Sequence, residues 1–206
     1  MPRLWIVGGP NGAGKTTIAD RWIAPLMPVV SPDSIAVQQN LSPVQAGRAA
    51  VLEQERLLRI RADFCLDTTF SGNRELALMR RAADADYEVN LIFVCVTSPY
   101  ICLARITERV AAGGHAVPPE DVFRRYPRSI QNLQIALGLA DNVMVFDNTA
   151  FQRRLVLTAQ KGALRYQSTP LPSWLPNQGH EEFGRSARAR DGSASGRRNC
   201  DPRSCR

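Results

Sequence analysis

Gly9-Pro10-Asn11-Gly12-Ala13-Gly14-Lys15-Thr16 is the stretch on which the reading of this chain turns. Its glycines let the backbone curl so that successive N–H groups face one anion, and Lys15 and Thr16 complete the pattern G-x-x-x-x-G-K-[ST]. Upstream, residues 3–8 (Arg-Leu-Trp-Ile-Val-Gly) are short, apolar and β-branched, which predicts a buried parallel strand. Downstream, Lys15 to about Ala24 lacks helix breakers and stops before Pro25, which predicts a helix whose N-terminus faces the same anion. Strand, glycine loop and helix stand in the order a phosphate cradle requires. On this reading Gly9, Pro10, Asn11, Gly12, Ala13, Gly14, Lys15, Thr16 and Thr17 hold ATP, with Lys15 reaching the β- and γ-phosphates and the Thr16 hydroxyl on Mg²⁺.

Working outward, Met27–Val30 and Phe64–Leu66 read as further strand ends that open onto polar loops at Ser31-Pro32-Asp33-Ser34 and Asp67-Thr68-Thr69-Phe70-Ser71-Gly72. Between them Pro43–Ala62 is rich in helix formers and has proline at its first turn, so it predicts one helix. Asn73–Ala85 predicts a shorter helix, Val89–Val96 a buried strand, Pro99–Ala111 and about Glu120–Gly138 two more helices, and Val143–Phe146 a fifth strand. Strands alternating with helices argue for an α/β, three-layer P-loop NTPase fold with a mainly parallel five-stranded sheet. Residues 153–168 suggest a C-terminal edge hairpin turning at Lys161-Gly162. The expected organisation is a P-loop kinase-like domain over residues 1–178 and a disordered basic tail over 179–206, because the tail has scarcely any large apolar residue.

The chain has 206 residues, 44% hydrophobic and 22% charged, with no apolar run long enough to span a membrane and no signal-peptide pattern, so a cytoplasmic protein is expected. Its formal charge of +7 invites a nucleic-acid reading, but seven arginines against Asp191 and Asp201 put +5 of it in residues 184–206. That tail has no aromatic residue past Phe183 to stack on bases, so no specific nucleic acid is expected. The five cysteines form no C-x-x-C pair and have no histidine cluster, which argues for free thiols over a metal site.

A P-loop needs acids near the metal and the nucleophile, and Asp67 and Asp33 each follow a strand at the edge where ligands of open α/β sheets bind. Asp67 is placed to orient Mg²⁺ and Asp33 to accept a proton from a substrate hydroxyl, although aspartate at such positions also serves as a helix cap or turn residue. Arg105 and Arg109 share a helix face ahead of Gly113-Gly114, and Arg124, Arg125 and Arg128 follow that break. Helix, glycine-proline break and arginine-rich helix suit a lid over about residues 105–128 that neutralises a transferring phosphoryl group, while solvated surface arginines are the plainer alternative. His115 reads as a turn or lid-packing residue.

Together, Gly8–Thr17, Ser31–Ala36, Asp67–Gly72, the element Arg109-Val110-x-x-Gly113-Gly114-His115-x-Val117-Pro118 with Arg124-Arg125-Tyr126, and Asp147-Asn148 resemble the zeta-toxin-like family of P-loop kinases over residues 4–148. The resemblance implies transfer of the ATP γ-phosphoryl, with Mg²⁺, to the 3′-hydroxyl of UDP-N-acetylglucosamine. It implies Lys15 and Thr16 on phosphate and metal, Asp33 as the acid facing the acceptor, and Asp67 with Thr69 on the substrate or metal side. It also implies a possible antitoxin partner. Two departures stand out: Ser31-Pro32-Asp33 where the family has Asn-x-Asp, and Asp67-Thr68-Thr69 where it has Glu-Thr-Thr. The shorter acid at position 67 withdraws the carboxylate by about one methylene, enough to call for a bridging water. The expectation is therefore a small-molecule kinase acting on a hydroxyl acceptor; the alternative is a nucleotide-binding switch without one.

Overall fold

The computed structural model describes residues 1–176 of the chain; the expected basic tail, 179–206, lies outside the described residues. The strands are β1 (Arg3–Gly8), β2 (Val29–Val30), β3 (Phe64–Thr68), β4 (Glu88–Cys95), β5 (Asn142–Asp147), β6 (Arg154–Gln160) and β7 (Ala163–Gln167). They form one sheet in the order β2-β3-β1-β4-β5-β6-β7. The first five are mutually parallel and the last two antiparallel. Five parallel strands and an edge hairpin thus merge in one mixed sheet, and the hairpin turns at Lys161 and Gly162, both at positive φ, as a two-residue turn requires.

The helices are α1 (Lys15–Ile18), which runs on as a π-helical turn over Ala19–Ile23, then α2 (Pro32–Gln39), α3 (Pro43–Arg59), α4 (Asn73–Asp84), α5 (Pro99–Ala111) and α6 (Pro119–Ala136). Strand alternation divides their partners between the two sheet faces. Leu4 and Ile6, Phe64 and Leu66, and Val89, Leu91 and Phe93 pack under α3, α4, α5 and α6, whereas Val7, Cys65, Ile92 and Val94 pack under Ile18, Ala19 and Ile23. The sheet is therefore the middle of three layers, one of them thick and one made by the single helix after the glycine loop. α3 begins as its sequence demands: the Ser42 hydroxyl and the Gln45 side chain cap one another's backbone in a capping box, with Pro43 at the first helical position.

One expectation needs correction. Ser31-Pro32-Asp33-Ser34 is not a loop but the start of α2. The Ser31 side chain accepts from the Ser34 N–H at 3.4 Å and Pro32 occupies the first turn, so the residues read as loop formers are a helix N-cap and its first turn. Asp33 is thereby fixed at a helix N-terminus, which favours its negative charge.

Register sets the site's height. Val7 lies opposite Asp67 and Gly8 opposite Thr68, and Cys95 opposite Asp147, so Asp67 and Thr68 are the last residues of β3 and not the loop expected there, and the glycine loop, the acid at the end of β3 and the turn after β5 all stand at the C-terminal edge of the sheet.

Candidate phosphotransfer site

The glycine loop is shaped by contacts that admit no side chain. A Cβ on Gly9, at φ +141°, would fall 2.0 Å from the Val94 carbonyl oxygen, and one on Gly14, at φ +96°, would fall 2.5 Å from the Asn148 amide nitrogen. Inside this curl the Lys15 Nζ donates to the Pro10 carbonyl at 3.0 Å. Lys15 is buried, and burial lowers the pKa of its ammonium while the charges of Asp67 and Asp33 pull it back up. Asp67, also buried, accepts from the Thr16 hydroxyl at 3.4 Å. Burial raises its carboxyl pKa above the ordinary carboxylate value and the Lys15 charge opposes that rise. Both shifts come first from burial, and each is opposed by the charge of the other residue. A hydroxyl beside a buried carboxylate is the oxygen donor set that Mg²⁺ takes, directly or through water. Asn11 adds an orphan: its Oδ1 is buried with no hydrogen-bond partner among the described residues.

Asn11, Gly12, Gly14, Lys15, Thr16 and Thr17 form one wall of an open cleft of about 750 Å³. The same cleft is lined by Asp33, Asp67, Thr69, Arg105, Arg109, Arg124 and Arg125. The acids and arginines singled out in sequence therefore meet the glycine loop across one cavity, although they come from α2, β3, α5 and α6.

The arginines are not equivalent. Arg105 Nη2 donates to the Asn148 carbonyl at 2.8 Å and to the Thr149 carbonyl at 3.4 Å, so its charge ties α5 to the turn after β5. Arg109 Nη2 donates to the His115 carbonyl at 2.8 Å, which pins the glycine-proline segment back onto α5. Arg124 and Arg125 both pair with Asp121 on their own helix. Loop 69–72 is held by α6: the Ser129 hydroxyl donates to the Thr69 carbonyl, and the Asn132 amide donates to the Phe70 and Gly72 carbonyls at 3.0 and 2.7 Å. The Thr69 and Ser71 hydroxyls face each other at 2.9 Å.

Thr68, Arg74 and Glu75 line the cleft without having been read as site residues from sequence, and Arg128 stands there with the other arginines of the expected lid. Thr68 donates to Glu75 Oε1 at 2.6 Å, and Glu75 Oε2 is buried without a partner among the described residues. Arg74 and Arg128 line the cleft and make no hydrogen bond or ion pair among the described residues. Asn148 donates to the Ala13 carbonyl at 2.8 Å and takes the space that Gly14 leaves open, so the turn after β5 braces the glycine loop. Its position at the end of a strand on the ligand-binding edge was the available signal for that role. Nothing in sequence brings Glu75 or Arg74 forward, since a charged residue in a helix's first turns is an ordinary solvated feature.

Parallel sheet, glycine loop and helix define a P-loop protein of kinase-like fold. The chain matches the AAA domain family over residues 4–133 and belongs to it. It is 30% identical over 136 residues, 60% of this chain and 97% of the relative, to an uncharacterized protein of Haemophilus influenzae. Among solved structures it is similar to the AvrRxo1-ORF1:-ORF2 complex with ATP, at TM-score 0.66 and 16% identity, over 87% of this chain and 66% of that one. The chain thus spans just under two thirds of that relative. It is also similar to the PezAT chromosomal toxin-antitoxin system of Streptococcus pneumoniae, at TM-score 0.60 and 15% identity, over 92% of this chain and 86% of that one. At these identities the likeness is one of fold. Among the described residues no helix is long and apolar enough to cross a membrane.

Proposed function

We propose that this protein is an ATP-dependent kinase of zeta-toxin type that phosphorylates a hydroxyl on a small-molecule acceptor. The observation that carries the reading is convergence: the phosphate cradle, the Thr16–Asp67 pair and Asp33 share one cleft with arginines from α5 and α6. Lys15 and the loop N–H groups hold the polyphosphate, and Thr16 with Asp67 hold its metal. MgATP supplies the phosphoryl group, the bond from the γ-phosphorus to the β–γ bridging oxygen breaks, and ADP leaves. Asp33, fixed in the first turn of α2, accepts the proton of the acceptor hydroxyl as that oxygen attacks phosphorus. Arg109, Arg124 and Arg125 offset charge on the transferring group once the segment from α5 to α6 closes, releasing the protein groups that now engage them.

The resemblance to zeta-toxin-like kinases makes the 3′-hydroxyl of UDP-N-acetylglucosamine the first acceptor to try, and the solved toxin-antitoxin relative makes an antitoxin-like protein the first partner to try. The test is incubation with MgATP and a panel of sugar nucleotides, nucleosides and sugars, read as a mass gain of one phosphate. Transfer to one acceptor is expected, with D33N slowing it about 100-fold or more while ATP affinity holds. Tight ATP binding without product from any acceptor overturns the kinase reading in favour of a nucleotide switch.

A further inference from the structure

Six arginines line the cleft, and four of them are already engaged: Arg105 with the turn carbonyls, Arg109 with the His115 carbonyl, and Arg124 and Arg125 with Asp121. Arg74 and Arg128 alone have neither a hydrogen bond nor an ion pair among the described residues. They belong to different elements, α4 and α6, yet their backbones are fastened together. Arg128 adjoins Ser129, which bonds to the Thr69 carbonyl, and Asn132 one turn on bonds to the Gly72 carbonyl two residues before Arg74. Both therefore stand beside the 69–72 loop, away from Lys15 in sequence and on separate elements from the glycine loop.

An unpaired guanidinium in a cleft is fully available to an anion, and two carried on mutually fixed elements lose less freedom on binding than two on mobile loops. The carboxylate in the same region does not pair with them: Glu75 is tied to the Thr68 hydroxyl through Oε1, and its buried Oε2 has no donor among the described residues. A ligand that satisfies all three groups must bring negative charge to the arginines and a hydroxyl proton to Glu75.

We propose that Arg74 and Arg128 form a specificity clamp for an anionic phosphate group on the acceptor, separate from the cradle that holds the donor nucleotide. This rests on the kinase reading for its biological role, because it assigns to the acceptor half of the cleft a hydroxyl compound that already carries phosphate. Glu75 then receives a neighbouring hydroxyl of the same acceptor. Residues 67, 33 and the glycine loop keep the roles given above.

The experiment separates the clamp from the reaction. The full chain, labelled with ¹⁵N-arginine and saturated with Mg²⁺ and a fluorescent AMP-PNP, is titrated with inorganic pyrophosphate as the probe. The side-chain N–H resonances of Arg74 and Arg128 should shift together with one dissociation constant while nucleotide fluorescence stays unchanged. R74Q and R128Q should each weaken that binding about tenfold, and leave affinity for the nucleotide within about twofold, as loss of one charge-assisted contact predicts. In the transfer assay the same variants should raise KM for phosphate-bearing acceptors and not for ATP. Displacement of the nucleotide by pyrophosphate, shifts confined to other arginines, or unchanged affinity in both variants overturns the clamp. Pyrophosphate binding with no transfer to any acceptor leaves the clamp standing and removes the kinase reading instead.

Discussion

The two walls of the cleft are built in opposite ways. The glycine-loop wall is local: residues 9–17 form a contiguous turn whose shape is fixed by backbone contacts that exclude side chains at Gly9 and Gly14. The facing wall is assembled from α2, β3, α4, α5 and α6, and most of its arginines are held by other protein groups. If the protein is the kinase proposed above, the contrast has a reason: a donor polyphosphate is the same in every kinase and suits a rigid cradle, whereas a wall that must admit, close on and release a particular acceptor is better made of side chains that can exchange partners. On the proposed reading the first wall holds the donor polyphosphate and the second carries the specificity.

That contrast can be broken most directly at Lys15. K15M should lower ATP affinity about 100-fold, because it removes the one buried cation of the cradle. Coupled to D67N it should raise the stability of the nucleotide-free protein by about 1 kcal/mol or more, since both groups are buried at a cost their mutual attraction does not recover. The pH dependence follows. Asp67 has a raised pKa when folded, so its contribution to stability grows as pH falls from that value toward the ordinary 3.8. Lys15 has a lowered one, so its contribution grows as pH rises from that value toward 10.5. The double variant lacks both gains, and its advantage in thermal melts should be greatest between the two folded values and shrink at either end. An advantage independent of pH would mean the pair is not strained.

A smaller effect sharpens the division among the arginines. R105M should cost about 1–3 kcal/mol of stability, because it removes a charged donor from two partly buried carbonyls. R109M, losing an exposed contact to a loop carbonyl, should cost less than about 1 kcal/mol yet slow phosphoryl transfer about tenfold or more. Equal melting temperatures for the two variants would place Arg105 with the arginines that the proposed mechanism releases on closure instead of the fixed ones.

The smallest effect concerns the thiols beneath the site. Burial pushes the Cys65 thiol up to about 12 and the Cys102 thiol up to about 11, and it raises that of Cys95 as well. Iodoacetamide at pH 8 should leave all three unlabelled in the folded protein, as peptide mapping can check. Labelling at Cys102, whose carbonyl abuts Gly12, would reveal opening between α5 and the glycine loop.

Much of this was legible in the residues themselves. The order strand, glycine loop, helix follows from local pattern, because each element needs only its own periodicity and its own breakers. The alternation of strands and helices through Phe146 also placed the parallel sheet, and Lys161-Gly162 placed the hairpin turn. Asp33 was found but set in a loop, because Ser-Pro-Asp-Ser satisfies the chemistry of turns and of helix starts equally well, and only the Ser31 cap on Ser34 distinguishes them.

What the sequence determined by itself is the phosphate cradle, since nine consecutive residues carry both its backbone shape and its charge. Tertiary structure alone decided which cleft arginines are fixed, which pair with Asp121 and which two have no partner among the described residues, that Glu75 joins the cleft and that Asn148 braces the glycine loop. Those outcomes depend on how α4, α5 and α6 pack against loops 60 or more residues away in the chain, as the Ser129 and Asn132 bonds to residues 69–72 do. No local pattern encodes the partner of a side chain that reaches that far.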